Sequence, residues 1–128
     1  MNLSSILGNT RRHDISLFSN GRIDITSGIV NTLDIREGDV IDIMHGDGEF
    51  YLYVAVTASS TSCGRHQARC YPSKRGARHF RAYSRRLCAA MLHECRCSKR
   101  VDLAAGATVC INGHTALHLI TRRPISSL

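Results

Sequence analysis

Hydrophobic and polar residues alternate most clearly between residues 20 and 56. Within 22–26 every second residue is apolar, which is the pattern of a strand with one face on a core. Asn20-Gly21, directly before it, is typical of a tight hairpin turn because both residues tolerate positive φ. Residues 14–19 also carry apolar side chains at alternate positions, so we expect the two segments to pair as a β-hairpin.

The pattern then changes to a helical spacing. Ser27 can cap a short helix whose apolar residues recur three or four positions apart. Gly38-Asp39 turns the chain into a further strand at 40–43, and a second glycine turn separates this strand from another at 50–56. Residues 12–56 are therefore expected to follow the order ββαββ. The side chains that we expect to face the core are Ile23, Ile25, Ile29, Leu33, Val40, Ile41 and Ile43.

The motif Gly-Arg-Ile-x-Ile before this helix, with Gly-Asp-x-Ile after it, resembles the AbrB/SpoVT/MazE family of swapped-hairpin DNA-binding domains. The resemblance covers about residues 12–56. It implies a small barrel of hairpins and DNA binding in transcription regulation, and for antitoxin-like members a partner protein bound through another segment. The family usually has proline where this chain has Thr26, and a basic residue soon after the helix isoleucine, where this chain has Val30, Asn31 and Thr32.

The same order of elements recurs after residue 64. Residues 65–71 and 78–83 are expected to form strands on either side of a turn at 72–76. Ser84 then caps a helix with apolar residues at helical spacing, as Ser27 does in the first half. The recurrence predicts a strand-turn-strand-helix unit in the second half.

Glycine turns recur as well. Gly106 precedes a strand as Gly38 does, and Asn112-Gly113 is a strong hairpin signal. The comparison requires an insertion at 93–103, between the helix and Gly106. We therefore predict an α+β fold, a small β-barrel-like structure of hairpins with one short helix per half, pseudo-symmetric if the halves are copies. Chance recurrence in a small α+β chain is the alternative.

The 128 residues divide by composition into four segments. They are a flexible N-terminal tail at 1–11, the AbrB-like ββαββ half at 12–57, a linker at 58–64 and a basic half at 65–128, with the diverged repeat at about 65–123. The resembled family builds its barrel from two chains that exchange hairpins. Two copies in one chain could build the same barrel as a monomer with pseudo-two-fold symmetry. A homodimer is the alternative.

Charge is distributed unequally between the halves. Residues 1–57 carry four arginines against eight acidic residues, a net charge of −4, whereas residues 58–128 carry thirteen basic against two acidic residues, a net charge of +11. Such an asymmetry indicates either a basic face for a polyanion or two halves that attract each other. The excess of arginine over lysine favours phosphate as the partner.

The basic residues are most concentrated between Lys74 and Arg86. Arg85 and Arg86 fall in the first helical turn, where the helix dipole disfavours cations, so an anionic partner is indicated. Aromatic residues are interleaved with this stretch, and of these we expect Phe80 to be core. The predicted nucleic-acid contacts are Arg11, Arg12, Arg22, Lys74, Arg75, Arg78, Arg81, Arg85 and Arg86.

All six cysteines lie in the second half. With no export signal at the N-terminus and no apolar run of membrane length, we expect a cytoplasmic protein with free thiols. Cys88 and Cys110 sit in apolar patterns and are expected to be small core residues. A zinc site could draw on Cys63, His66, His93, Cys95 and Cys97, but their spacing is poor, so no metal or other cofactor is predicted.

The charge distribution indicates a polyanion, and the resemblance to the AbrB/SpoVT/MazE family implies that it is duplex DNA, bound through phosphate contacts from an arginine-rich face, with transcription regulation as the role. A protein-interaction module that uses the acidic first half is the second hypothesis. An enzyme is the third, since no nucleophile motif and no phosphate-binding loop is present.

Overall fold

The computed structural model describes residues 14–58, 68–74, 76, 78–121 and 126–127. Within them the alternating segments form nine strands and the helical segments two helices. The elements are β1 (Ile15–Phe18), β2 (Arg22–Ile25), α1 (Ser27–Leu33), β3 (Val40–Gly46), β4 (Glu49–Val56), β5 (Tyr71–Pro72), β6 (Phe80–Tyr83), α2 (Arg85–Glu94), β7 (Arg100–Ile111), β8 (His114–Ile120) and β9 (Ser126–Ser127).

The order ββαββ predicted for the first half is confirmed over residues 14–56. Of the seven apolar side chains expected to face the core, five are buried, and Leu33 and Ile43 are half-buried against the same cluster. Val40 and Ile41 are both buried although they are neighbours on β3. Only Ile41 belongs to the main apolar cluster, so the two side chains are buried on opposite sides of β3, and the register shift between them leaves the extra residue, Ala55, on β4.

Strands of the two halves are interleaved in one antiparallel sheet. The strand order is β3-β4-β8-β7-β1-β2-β6-β5, and β9 pairs with β7. Three pairs, β1 with β7, β2 with β6 and β4 with β8, join the first half to the second. Most of the segment 58–64, expected to be a linker, lies outside the described residues, as does the tail at 1–11.

Residues 68–70, which lead into the edge strand β5, approach the other edge strand of this order, β3. Ile41 N donates to the carbonyl of Ala68 at 3.0 Å and Cys70 N donates to the carbonyl of Asp39 at 2.7 Å, around a Val40–Arg69 bridge. The sheet therefore curves like a barrel around the apolar core, and the fold is α+β as expected.

The second half departs from prediction along β7. The expected insertion at 93–103 is too long, because 93–94 end α2 and 100–103 begin β7. Gly106 does not precede a strand but lies inside β7, at a bulge where the pairing with β8 shifts register. A Cβ on Gly106 would lie 2.9 Å from Nδ1 of His118, so the glycine permits a close approach rather than a turn.

The helix of the second half begins where the sequence indicates. Ser84 Oγ accepts a hydrogen bond from Leu87 N at 3.1 Å and caps α2. Of the strand expected at 65–71, only Tyr71 belongs to β5, and residues 65–67 lie outside the described part. Neither described helix is long and apolar enough to cross a membrane.

Candidate nucleic-acid interface

Five neighbouring strands, β7, β1, β2, β6 and β5, share one side that faces away from the apolar core, here called the polar face. Register across these strands aligns its residues in two rows. The first row is Arg100, Phe18, Arg22 and Tyr83, and the second is Asp102, Ser16, Asp24, Arg81 and Tyr71.

The first row places two cations on an aromatic ring. The guanidinium carbon of Arg22 lies 4.0 Å from the centroid of the Phe18 ring, and that of Arg100 lies 5.0 Å from it. Both distances are within the range of a cation–π contact. The ring therefore holds two arginines close together despite their like charges.

The second row supplies the carboxylates that neutralise part of this charge. Asp102 is buried and accepts hydrogen bonds from Ser16 Oγ at 2.6 Å and from Arg100 Nη2 at 2.8 and 3.0 Å. Two arginines share Asp24: Arg81 Nε donates to Oδ1 at 2.8 Å, and Arg22 Nε lies 3.3 Å from Oδ2. The pKa of Arg81 is raised, chiefly by this hydrogen bond to Asp24 and to a smaller extent by Tyr83.

The nine predicted contact residues consequently fall into three groups. Arg22 and Arg81 are paired with Asp24 inside the protein. Arg11, Arg12 and Arg75 lie outside the described residues. Lys74, Arg78, Arg85 and Arg86 are exposed, and none of these four has a carboxylate partner among the described residues.

Strand β6 separates these four exposed cations into two pairs. Although the sequence places all four in one short basic stretch, Arg85 and Arg86 follow the end of β6 opposite to the turn that carries Lys74 and Arg78. Arg85 instead lies against Gly21, where a Cβ would be 2.9 Å from the Arg85 Cγ. The Ser84 N–H donates to the Gly21 carbonyl at 2.8 Å and fixes the helix start beside the β1–β2 turn.

A groove opens on the polar face at its β5–β6 edge. Its volume is about 450 Å³, and its lining includes Tyr71, Lys74, Arg81 and Tyr83. Phe80, expected to be core, is buried, whereas the rings of Tyr71 and Tyr83 are 50% and 59% exposed. The groove therefore combines open aromatic rings with cations.

Phe18 and Arg100 were missed in the sequence. Their contact depends on the pairing of β1 with β7, two strands more than eighty positions apart along the chain. Phe18 alternates in phase with Ser16, which was a signal that its ring leaves the core. No local pattern indicated Arg100 as its neighbour.

The five cysteines in the described part of the chain do not form a metal centre there, and Cys63 and His66 of the candidate ligand set lie outside that part. No group of three or more His, Cys, Asp and Glu side chains close enough to hold an ion occurs in that part of the chain. Burial raises the pKa of Cys95 to about 11 and that of Cys88 to about 11, so both thiols remain protonated near neutral pH. Cys88 is core as predicted. Cys110 is exposed near the β7–β8 turn, so its predicted burial is wrong.

Comparisons with protein-family models, with curated protein sequences and with solved structures each gave no match for this chain.

Proposed function

We propose that this protein binds duplex DNA through phosphate contacts from the cations at the two ends of β6, and that it acts in transcription regulation. One observation carries the proposal. Lys74 and Arg78 at one end, with Arg85 and Arg86 at the other, are exposed and have no carboxylate partner among the described residues. Like charges held together without internal compensation are stabilised by an anionic partner.

The two pairs lie beyond opposite ends of β6, a strand of four residues. A partner that engages both pairs therefore has to present anionic groups at separate positions, as the phosphates along a duplex do. Arg22 and Arg81 lie between them and share Asp24, which offsets one of their two charges, so we assign them to the positioning of the face rather than to duplex phosphates.

We also propose that the two halves are diverged copies of one AbrB-like swapped hairpin, folded as a pseudo-symmetric monomer. The strand pairing supports this. In the repeat β2 corresponds to β6 and β4 to β8, and each of these strands pairs with its own counterpart. The β1–β7 pair corresponds to the bridge between β3 and the segment before β5.

The hairpin turns support the same equivalence. Asp47 and Gly48 have φ of 54° and 78°, and Asn112 and Gly113 have φ of 51° and 82°. Two consecutive residues with positive φ are the mark of a type I′ hairpin turn, so the second hairpin of each half closes in the same way.

The function is tested by the salt dependence of binding to a fluorescent duplex of about 20 base pairs. We expect the logarithm of affinity to fall linearly with the logarithm of salt concentration. In the triple variant R78A/R85A/R86A, binding should weaken for every duplex sequence, and the slope should decrease by about 2.7, since each lost phosphate contact contributes about 0.9.

A matched control is Arg36→Ala. Arg36 is also exposed, but it lies on the loop after α1 and pairs with Asp34 at 3.2 Å. Removing it should change duplex affinity less than Arg85→Ala, although each variant loses one charge. Equal effects would indicate only a response to net charge. Binding that is absent at low salt would refute the proposal and leave the protein-interaction hypothesis.

A further inference from the structure

The groove at the β5–β6 edge contains more than a phosphate site requires. Tyr71 and Tyr83 are 50% and 59% exposed, and both line it. An aromatic side chain loses apolar burial when it stays this open, and two such rings in one groove form a surface for a flat ligand.

Strand register places Tyr71 and Tyr83 on the same face of the sheet as Arg81. Tyr71 is the direct cross-strand partner of Arg81, and Tyr83 lies two positions further along β6. The two tyrosines are therefore diagonal neighbours, with about 7 to 8 Å between their backbone positions. A planar ring that stacks on both sides needs about 7 Å, twice the roughly 3.5 Å of an optimal carbon–carbon contact. This backbone separation leaves room for one base between the two side chains.

The charges of the groove specify an anionic ligand. Lys74 and Arg81 line it, and no carboxylate is among its lining residues in the described part of the chain. Arg81 is held in place by its 2.8 Å hydrogen bond to Asp24, so its guanidinium is a fixed element of the floor. Lys74 is exposed at the rim, where a phosphate attached to the stacked base can reach it.

We propose that this groove holds an unpaired base of a nucleic acid, stacked between Tyr71 and Tyr83, with its phosphate against Lys74. The inference rests on the proposed DNA binding and specifies the state of the strand that the site takes. Stacking on open rings tolerates any base, so the groove selects unpaired nucleotides rather than a sequence. A duplex that ends in a single strand offers both the phosphates for the exposed cations and a base for the groove.

The test compares three probes by fluorescence anisotropy: a blunt duplex of about 20 base pairs, the same duplex with a short oligothymidine overhang, and oligothymidine alone. We expect the overhang to increase affinity about tenfold over the blunt duplex. Tyr83→Leu should abolish that gain and leave blunt-duplex binding unchanged. Tyr83→Phe keeps the ring and should retain the gain.

An independent measurement uses the protein's own fluorescence. The chain has four tyrosines and no tryptophan, so two of its four emitting rings line the groove. Unlabelled oligothymidine should quench the emission of the wild-type protein and not that of Y71L/Y83L. Retained quenching in the double variant would overturn the inference.

The outcomes separate this inference from the proposed function. Salt-dependent binding of the blunt duplex with no gain from the overhang would refute the stacking groove and leave duplex binding intact. Oligothymidine binding that Tyr83→Leu weakens, without any duplex binding, would refute the proposed function and support the groove.

Discussion

Removal of the Asp24 carboxylate is expected to destabilise the contact between the two halves of the chain. Asp24 on β2 accepts from Arg81 on β6 at 2.8 Å, and Arg22 lies 3.3 Å away on the same strand as Asp24. In Asp24→Asn the amide is nearly the same shape, but the two guanidinium groups then face each other without a counter-charge. The repulsion acts across the β2–β6 pair, where the halves meet.

The exposure of the three side chains sets the magnitude. The Asp24 side chain is 13% exposed, and those of Arg22 and Arg81 are 29% and 32% exposed. An exposed ion pair contributes about 0.2 to 1 kcal/mol, whereas loss of one partner of a buried pair costs about 3 to 5 kcal/mol. For this intermediate site we expect a loss of about 2 kcal/mol in the free energy of unfolding. With an unfolding entropy of roughly 2.1 cal/mol/K per residue, the Tm should decrease by about 7 °C.

Urea and thermal unfolding followed by circular dichroism measure this loss. Arg36→Gln is the matched control, because its pair with Asp34 has side chains 77% and 70% exposed and should contribute less than about 0.5 kcal/mol. In D24N/R81Q the loss should be smaller than the sum of the single losses, since the second change removes one of the two unpaired cations. A loss for Asp24→Asn no larger than that for Arg36→Gln would refute the reasoning.

Three further predictions concern local features. Ser84→Ala removes the cap on Leu87 N and should lower the free energy of unfolding by about 1 kcal/mol in urea titrations. Gly113→Ala should cost about 1 kcal/mol in the same assay because φ is 82° with open space around it, whereas Gly46→Ala, also in open space but without positive φ, should cost less. Burial raises the pKa of Cys70 from 9.0 to about 12, so the folded state keeps a proton that the unfolded state loses. Stability should therefore fall as the pH rises above 9, by roughly 2 kcal/mol from this thiol near pH 10.5, and Cys70→Ala should show a correspondingly smaller fall between pH 8 and 10.5 in urea unfolding; an equal fall would contradict the assignment.

Local signals predicted the helices and strands of the fold because each of these elements is determined by a few adjacent residues. Asn20-Gly21 forms the first hairpin turn, and Ser84 caps α2. Gly106 was misread because a glycine before a strand and a glycine in a bulge look alike without the partner strand. Alternation fixes which face of a strand is buried but does not identify the neighbouring strand.

The same limit applies to the candidate site. The sequence pointed to the arginines between residues 74 and 86, yet it could not distinguish Arg81, which is paired with Asp24 at 57 positions' distance, from Arg85, which has no carboxylate partner among the described residues. The exposure of Tyr83, which is 59%, also depends on its place in the sheet, where it pairs with Arg22 across β2. The sequence shows which residues carry charge or an aromatic ring, but it does not show which other residues surround them in the folded protein.

The pairing of Asp24 with Arg81 has a consequence for how this protein can evolve. Each lies between two buried residues of its strand, so under the proposed duplication they occupy equivalent positions and face each other. In a dimer of identical chains, one residue type would have to face itself there, aspartate against aspartate or arginine against arginine. A single chain that carries both copies can place opposite charges at that point and can change either copy without changing the other. Under the proposed DNA binding, such a protein would be released from the palindrome that a two-fold dimer imposes on its target, and its two halves could come to recognise DNA differently.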